Sequence, residues 1–128
     1  MEKRLYGIRG AVCAQNTKES VLKNVGEMCR ELFARNGIAA EDIVSIHFTM
    51  TPDLDCMNAA AALRSSSTGT DVSKAALFTS QEACIQGMMP GVVRVLVTSY
   101  LAEGSSPVHV YMNGAEKLRP DFSGEGGK

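Results

Sequence analysis

Apolar side chains recur at helical spacing between residues 17 and 35, which predicts a long amphipathic helix there. The periodic positions are Val21, Leu22, Val25, Met28, Cys29, Leu32 and Phe33. Asn16 is predicted as the N-cap, with Glu19 three residues later completing a capping box. Gly37 follows the last periodic residue, where a left-handed C-cap is usual. This is the best-defined helix that the sequence predicts.

Runs rich in apolar and β-branched residues predict the strands. They cover residues 4–13, 43–50, 75–79 (short and buried), 92–100 and 108–112. Two further segments are predicted as helices: an alanine-rich one from Asn58 that ends near Arg64, and one over 82–89 that Pro90 and Gly91 end. The resulting order of strands and helices favours an α/β (α+β) fold, in which a mixed sheet is covered by helices.

The chain has 128 residues, the size of a single domain. It contains no internal repeat and no linker long enough to divide it. We therefore expect one domain over residues 1–121. Residues 122–128 contain three glycines and little to pack, and are predicted to form a flexible tail.

Charge and cysteine usage exclude several classes of function. The formal charge is -1, so the chain has no basic field that would attract nucleic acid or an anionic membrane. No apolar run approaches the ~18 residues of a membrane span, and the N-terminus does not resemble a signal peptide. Cysteines 13, 29, 56 and 84 lack metal-binding spacing, and His47 and His109 lie far apart. We expect no metal site and a soluble, cytoplasmic protein with reduced thiols.

Several arginines interrupt apolar segments. Arg94 lies in the middle of the strand 92–100, where its neighbours on the same face are Val92 and Leu96. A permanently charged guanidinium is costly there unless a partner neutralises it. The other such positions are Arg9, Arg64 and Arg119. Each could equally extend to water from a strand edge, but several together favour an anion-binding site.

Two further candidates stay open on the residues alone. Glu82 near the start of a predicted helix has a structural explanation in the helix dipole. Tyr111 between Val110 and Met112 could be a core tyrosine with its hydroxyl at the rim. The sequence contains no Ser-His-Asp order, P-loop, dinucleotide fingerprint or nucleophile–base pair. The residues alone thus predict a soluble α/β domain with an anion site.

A set of short motifs narrows this interpretation. In chain order they are Gly7-Ile8-Arg9-Gly10-Ala11, Thr51-Pro52-Asp53-Leu54, Arg64, Gln81-Glu82, Arg94, His109-Val110-Tyr111 and Leu118-Arg119-Pro120-Asp121. From about Leu5 to Asp121 the chain resembles the monofunctional, AroH-type chorismate mutases. The resemblance implies conversion of chorismate to prephenate without a cofactor. It also implies a homotrimer shaped as a pseudo-α/β barrel, with active sites between subunits.

The resemblance assigns roles to four central residues. Arg94 is expected beside the ether oxygen of chorismate, where negative charge develops as the C–O bond breaks. Glu82 is expected to accept a hydrogen bond from the ring hydroxyl of the substrate. Arg9 and Tyr111 are expected to hold the side-chain carboxylate.

The resemblance places three more residues around these. Arg64 and Arg119 are expected near the mouth of the site, with Arg119 brought in by the C-terminal segment. Thr79 stands where the family commonly has a cysteine near the substrate hydroxyl, and we expect threonine to keep that contact. Asn58 replaces an aromatic residue and Ala61 replaces a lysine near the entrance, changes that bear on binding and access.

Two other functions are compatible with the general pattern. A trimeric deaminase of the reactive-intermediate type has a similar architecture and also uses an arginine for a carboxylate. It does not explain the combination of Glu82, Arg94 and Leu118-Arg119-Pro120-Asp121. A non-catalytic anion-binding protein with the same fold is the other alternative, favoured by the altered entrance residues.

Overall fold

A computed structural model describes residues 2–121 of the chain. Its elements are β1 (Lys3–Cys13), α1 (Lys18–Asn36), β2 (Ile43–Met50), α2 (Ala59–Arg64), β3 (Ala76–Gln81), β4 (Val92–Ala102) and β5 (Val110–Met112). Short 3-10 helices at Ala40–Asp42 and Ala115–Leu118 complete the described part. The tail predicted over 122–128 lies outside the described residues.

The strands form one mixed sheet in the order β3-β2-β4-β1-β5. The central strand β4 runs antiparallel to both neighbours, β1 and β2. Each outer strand runs parallel to the strand beside it, β3 to β2 and β5 to β1. Parallel neighbours need a crossover connection, and α2 lies in the one between β2 and β3. The predicted mixed sheet with helices is confirmed.

Both helices cover the same face of this sheet. Val93, Val95 and Val97 of β4 point into the core that α1 and α2 close. The intervening β4 residues lie on the opposite face, which α1 and α2 leave uncovered. The 3-10 helix Ala115–Leu118 covers only the end of this face near Val92, and Leu96 and Tyr100 are exposed there. We call this second surface the open face. Apart from Val92, the apolar run of β4 therefore belongs to a strand that is buried on one side and partly exposed on the other.

Strand β3 differs from its prediction. The sequence suggests a short buried strand, but β3 is an edge strand and its largest side chain, Phe78, is 64% exposed. The segment is apolar because Leu77 packs toward the helices while Phe78 lies on the open face. The prediction of burial is wrong for the isolated chain.

The ends of α1 combine one correction with one confirmation. Thr17 is the N-cap, since its side-chain oxygen accepts a hydrogen bond from Ser20 N. Asn16 is not the cap, because its amide binds Asp55 instead, accepting from the main-chain N–H and donating to the carboxylate. The capping box with Glu19 is therefore wrong. Gly37 is the C-cap as predicted, with φ 58 and ψ 39.

No helix forms over residues 82–89. β3 ends at Gln81, and Glu82 N continues the pairing by donating to Met50 O at 2.8 Å. A single turn follows, and Gly87 within it has φ +83, which a right-handed helix does not accommodate. The explanation of Glu82 by a helix dipole is therefore wrong, and its carboxylate needs another account.

Candidate active site

Arg94 and Glu82 form an ion pair on the open face. Arg94 Nε donates to both carboxylate oxygens of Glu82, each at 3.1 Å. The two side chains are 34% and 20% exposed, so the pair is partly withdrawn from solvent. The terminal nitrogens of Arg94 hydrogen-bond to no residue in the described range. The carboxylate thus neutralises the guanidinium along one edge and leaves its other donors available.

Thr49 joins these two residues across the sheet. It lies on β2, in register with Arg94 of β4 on one side and Ser80 of β3 on the other. Thr49 Oγ1 donates to Glu82 Oε1 at 2.8 Å. Sequence reasoning missed Thr49. The alternation of Ser45, His47 and Thr49 with buried apolar residues was the signal that they share the open face.

A recess of ≈ 420 Å³ opens beside the ion pair. It is lined by Arg9, His47, Thr49, Arg94, Val95 and Leu96. Arg9 reaches it because β1 pairs with β4, placing Arg9 opposite Leu96. Two guanidiniums therefore border one cavity, which suits an anionic ligand. Arg9 and Arg94, predicted separately, are brought together.

Tyr111 ends the same row of the sheet. Ala11 of β1 pairs with both Arg94 and Tyr111, so Tyr111 lies two strands from Arg94 in this row. Tyr111 is 5% exposed and packs with Val92 and Ala115 in a small cluster on this face. Its ring is thus a buried anchor, as the core alternative proposed, within the surface that carries the arginines.

Arg119 and His109 lie at the β5 edge of the site. The Arg119 guanidinium binds the Asp121 carboxylate in a fork, at 3.1 and 2.7 Å. This bond is the main reason that the pKa of Asp121 is lowered. His109 Nδ1 accepts a hydrogen bond from the main-chain N–H of Arg9 at 2.9 Å. Burial, followed by the charges of Arg9 and Arg119, lowers the pKa of His109.

Two predicted site residues lie elsewhere in the chain. Arg64 ends α2 and borders a separate recess of ≈ 330 Å³, together with Asp71 and Ser73. Thr79 is in register with Phe48 and lies on the helix-covered face. Its hydroxyl donates to Asn58 Oδ1 at 3.0 Å and accepts from Ala60 N at 3.1 Å. Within one chain, neither residue joins Arg94.

A third recess of ≈ 440 Å³ lies at the ends of β2 and β3, next to Thr79. Thr51, Asp55 and Asn58 contribute to its polar lining. Asn58 caps α2 through its side-chain oxygen, which accepts from the main-chain N–H groups of Ala60 and Ala61. This recess and the Arg64 recess together mark the α2 end of the sheet as a second polar surface.

The described residues contain neither a metal-binding cluster nor a membrane-spanning helix. No group of three or more His, Cys, Asp or Glu side chains there has a geometry for holding a metal ion. None of the described helices combines the length and hydropathy needed to cross a bilayer.

Comparisons with known proteins identify the family. The family model for chorismate mutase type I matches residues 5–122. The chain is 29% identical over 121 residues to chorismate mutase AroH of Bacillus subtilis (strain 168), covering 93% of each sequence. Its fold matches a solved chorismate mutase from Clostridium thermocellum with a TM-score of 0.78 and 31% identity, over 88% of this chain and 99% of that one. The chain therefore belongs to the chorismate mutase type I family and is an isomerase.

Proposed function

We propose that the chain rearranges chorismate to prephenate at the recess beside Arg94, with Arg94 and Glu82 as its catalytic residues. A pericyclic rearrangement breaks a C–O bond and forms a C–C bond within one molecule, so it needs no nucleophile and no proton transfer. A protein can accelerate it by holding the reactive conformation and by placing a fixed charge where the transition state is polarised.

The tethered guanidinium of Arg94 is the observation that carries this proposal. Glu82 holds the Nε edge with two bonds of 3.1 Å, so the orientation of the planar group is fixed before a ligand arrives. The terminal N–H groups, unused within the described residues, can then donate to the ether oxygen as it gains negative charge. Because a guanidinium stays charged at all physiological pH values, the donor needs no reorganisation during the reaction.

Glu82 retains capacity to bind the substrate hydroxyl. A carboxylate offers about four acceptor positions. Thr49 and Arg94 fill three, two on Oε1 and one on Oε2. The remaining position on Oε2 can accept the ring hydroxyl of chorismate. Glu82 would then orient Arg94 and the substrate together.

We assign the carboxylates of the substrate to Arg9, Tyr111 and Arg119. Arg9 borders the recess, and the buried ring of Tyr111 lies two strands from Arg94 in the same row. We assign both to the side-chain carboxylate. Arg119 lies at the β5 edge and is paired with Asp121. A substrate carboxylate would therefore compete with the Asp121 carboxylate for the guanidinium of Arg119.

A homotrimer explains the residues that one chain leaves apart. The open face exposes Leu5, Phe78, Leu96 and Tyr100. An exposed apolar surface of this kind commonly marks a contact between proteins. We propose that neighbouring subunits cover it, and that Arg64 and the Asn58–Thr79 pair of one subunit border the Arg94 recess of the next. The resemblance to the family supports this proposal, since it implies a homotrimeric pseudo-α/β barrel with active sites between subunits.

The substrate contact expected of Thr79 needs revision under this proposal. Its hydroxyl proton is directed at Asn58 Oδ1. The Asn58 amide nitrogen makes no hydrogen bond within the described residues, so it is the free donor of the pair. Asn58 would therefore present the hydrogen bond that the family draws from its cysteine.

We also assign the protein to the cytoplasm, since its four cysteines form no disulfide.

The loss of chorismate absorbance tests the assignment. Purified protein should accelerate this loss without added metal or nucleotide. Arg94→Ala should lower turnover by at least about 10²-fold, the usual cost of losing one preorganised donor to a developing charge. Arg35→Ala is the matched control, because Arg35 pairs with Glu31 on the exposed side of α1. Inactive wild-type protein would reject the enzyme assignment, and an unimpaired Arg94→Ala would reject the role of Arg94.

A further inference from the structure

We propose that Thr49 is a positioning residue for the reaction, which acts by fixing the orientation of the Glu82 carboxylate. The inference rests on the proposed function of Glu82 and Arg94. Thr49 itself borders the recess on β2, between the strand that carries Arg94 and the strand that Glu82 follows. Its side chain is therefore placed to act on both.

The contacts of Arg94 alone do not determine the carboxylate plane. Arg94 Nε lies 3.1 Å from each Glu82 oxygen, so it does not discriminate between them. The last torsion of a glutamate side chain is broad, and rotation about it is weakly restrained by such a shared bond. A second partner is needed to hold one oxygen in place.

The Thr49 hydroxyl supplies that second partner. It donates to Oε1 at 2.8 Å, shorter than either Arg94 bond. The main chain of Glu82 is held independently by the bond from its N–H to Met50 O, also 2.8 Å. Oε1 therefore has two donors and Oε2 has one, which leaves the open acceptor position on Oε2. Thr49 in this way determines which oxygen is presented to the substrate.

Ser80, the other hydroxyl in this row, does not duplicate the role. Its Oγ lies 2.8 Å from His47 Nε2 and is engaged there. Within residues 2–121, Thr49 is the single uncharged side chain that donates to Glu82. A β-branched residue also has a restricted χ1, so the hydroxyl is held toward Glu82 by its own strand.

Removal of this hydroxyl tests the proposal. Thr49→Val keeps the shape of the side chain and deletes the donor, while Thr49→Ser keeps the donor. We expect Thr49→Val to lower kcat about tenfold with KM within about twofold, because the lost restraint acts on the transition-state arrangement. Thr49→Ser should recover most of the rate. Thermal unfolding of both variants reports whether the fold is retained.

Thr98→Val is the matched control. Thr98 lies on β4 on the open face, opposite Gly7 and Ser45, and its hydroxyl makes no hydrogen bond within the described residues. Its kinetics should equal those of the wild type. Wild-type kinetics in Thr49→Val would overturn the proposal, as would equal impairment of Thr49→Val and Thr49→Ser. If Glu82→Gln and Arg94→Ala were also fully active, the proposed function itself would fail, a distinct result.

Discussion

His109 binds the main chain of Arg9 through a ring nitrogen, Nδ1, that must be unprotonated to accept the 2.9 Å hydrogen bond. This contact extends the β5–β1 pairing by one residue, since β5 begins at Val110. The histidine therefore helps to hold the strand from which Arg9 reaches the recess. The protonation state of His109 therefore affects how the β5 edge of the site is held.

A histidine in this position makes stability depend on pH. Burial and the charges of Arg9 and Arg119 lower the pKa of His109, and the opposing effect of Asp121 is smaller. Below its ordinary pKa of about 6.5, the unfolded chain therefore binds a proton that the folded chain does not. The free energy of unfolding should fall as pH drops from 6.5 toward the lowered folded value.

Urea unfolding at pH 7.5 and 5.5 measures this dependence. The decrease between the two pH values should be smaller in His109→Gln, which cannot titrate. His47→Gln, on β2, is the control for the removal of a histidine as such. An equal decrease in His109→Gln and wild type would show that protonation of His109 does not contribute.

Glu82→Gln separates the charge of this residue from its shape. The amide keeps one acceptor oxygen, but its NH₂ group faces the Arg94 Nε donor in either orientation, because Nε donates to both oxygens of the native carboxylate, and the ion pair is lost. We expect turnover to fall by about 10- to 100-fold, since both the orientation of Arg94 and the acceptor for substrate are affected. Glu31→Gln, on exposed α1, is the control. Unchanged turnover in Glu82→Gln would mean that the negative charge is dispensable.

Much of the scaffold follows from local sequence patterns. The periodicity of α1 and the β-branched run of β2 define both elements within a residue or so. Glu82 was harder to place because its short segment has a helical composition, and the pairing with Met50 outweighs that preference. Pairing between distant strands is not encoded locally, which is why local patterns missed the row formed by Thr49 and Arg94.

The predicted site residues likewise fall into two groups, those with a local sequence signal and those without one. Arg9 and Arg94 were found because a cation in an apolar strand is unusual, and that signal is local. The roles of Arg64 and Thr79 were carried over from the family resemblance. Their positions in one chain, on α2 and on the helix-covered face, give no local indication of a shared site. Only an assembly of several chains could join them to Arg94.

Gly91 should be among the least replaceable glycines in the chain. It has φ +67, and an added Cβ would lie 2.9 Å from the main-chain oxygen of Ala14. The same two residues share a main-chain hydrogen bond of 2.8 Å, so the backbone has little freedom to move. We expect Gly91→Ala to lower the free energy of unfolding by about 2–4 kcal/mol, from backbone strain and the clash together.

Gly37 offers the comparison, because it has φ +58 but no atom within 4 Å of an added Cβ. Gly37→Ala should cost about 1–2 kcal/mol, the strain alone. Chemical denaturation of both variants measures the difference. Equal decreases in the free energy of unfolding would show that the contact between the added Cβ and the main-chain oxygen of Ala14 is relieved at no cost. Because Gly91 immediately precedes β4, Gly91→Ala should also reduce activity through a displaced Arg94.

Substitutions that introduce a charge on the open face test whether subunits associate through it. Phe78 is 64% and Tyr100 is 41% exposed in the isolated chain. If neighbouring subunits cover them, a buried and unpaired carboxylate at either position would oppose association. We expect Phe78→Glu and Tyr100→Glu to reduce the mass in solution from trimer to monomer. Activity should fall with it, because Arg64 and Asn58 of the neighbour would be lost from the site.

Leu22→Glu is the control for added charge, since Leu22 is 37% exposed on α1 and lies outside the open face. It should remain trimeric and active. A monomeric wild type would contradict the assembly directly. Monomeric Phe78→Glu protein with full activity would show that one chain holds a complete site, and that Arg64 and Asn58 take no part in the reaction.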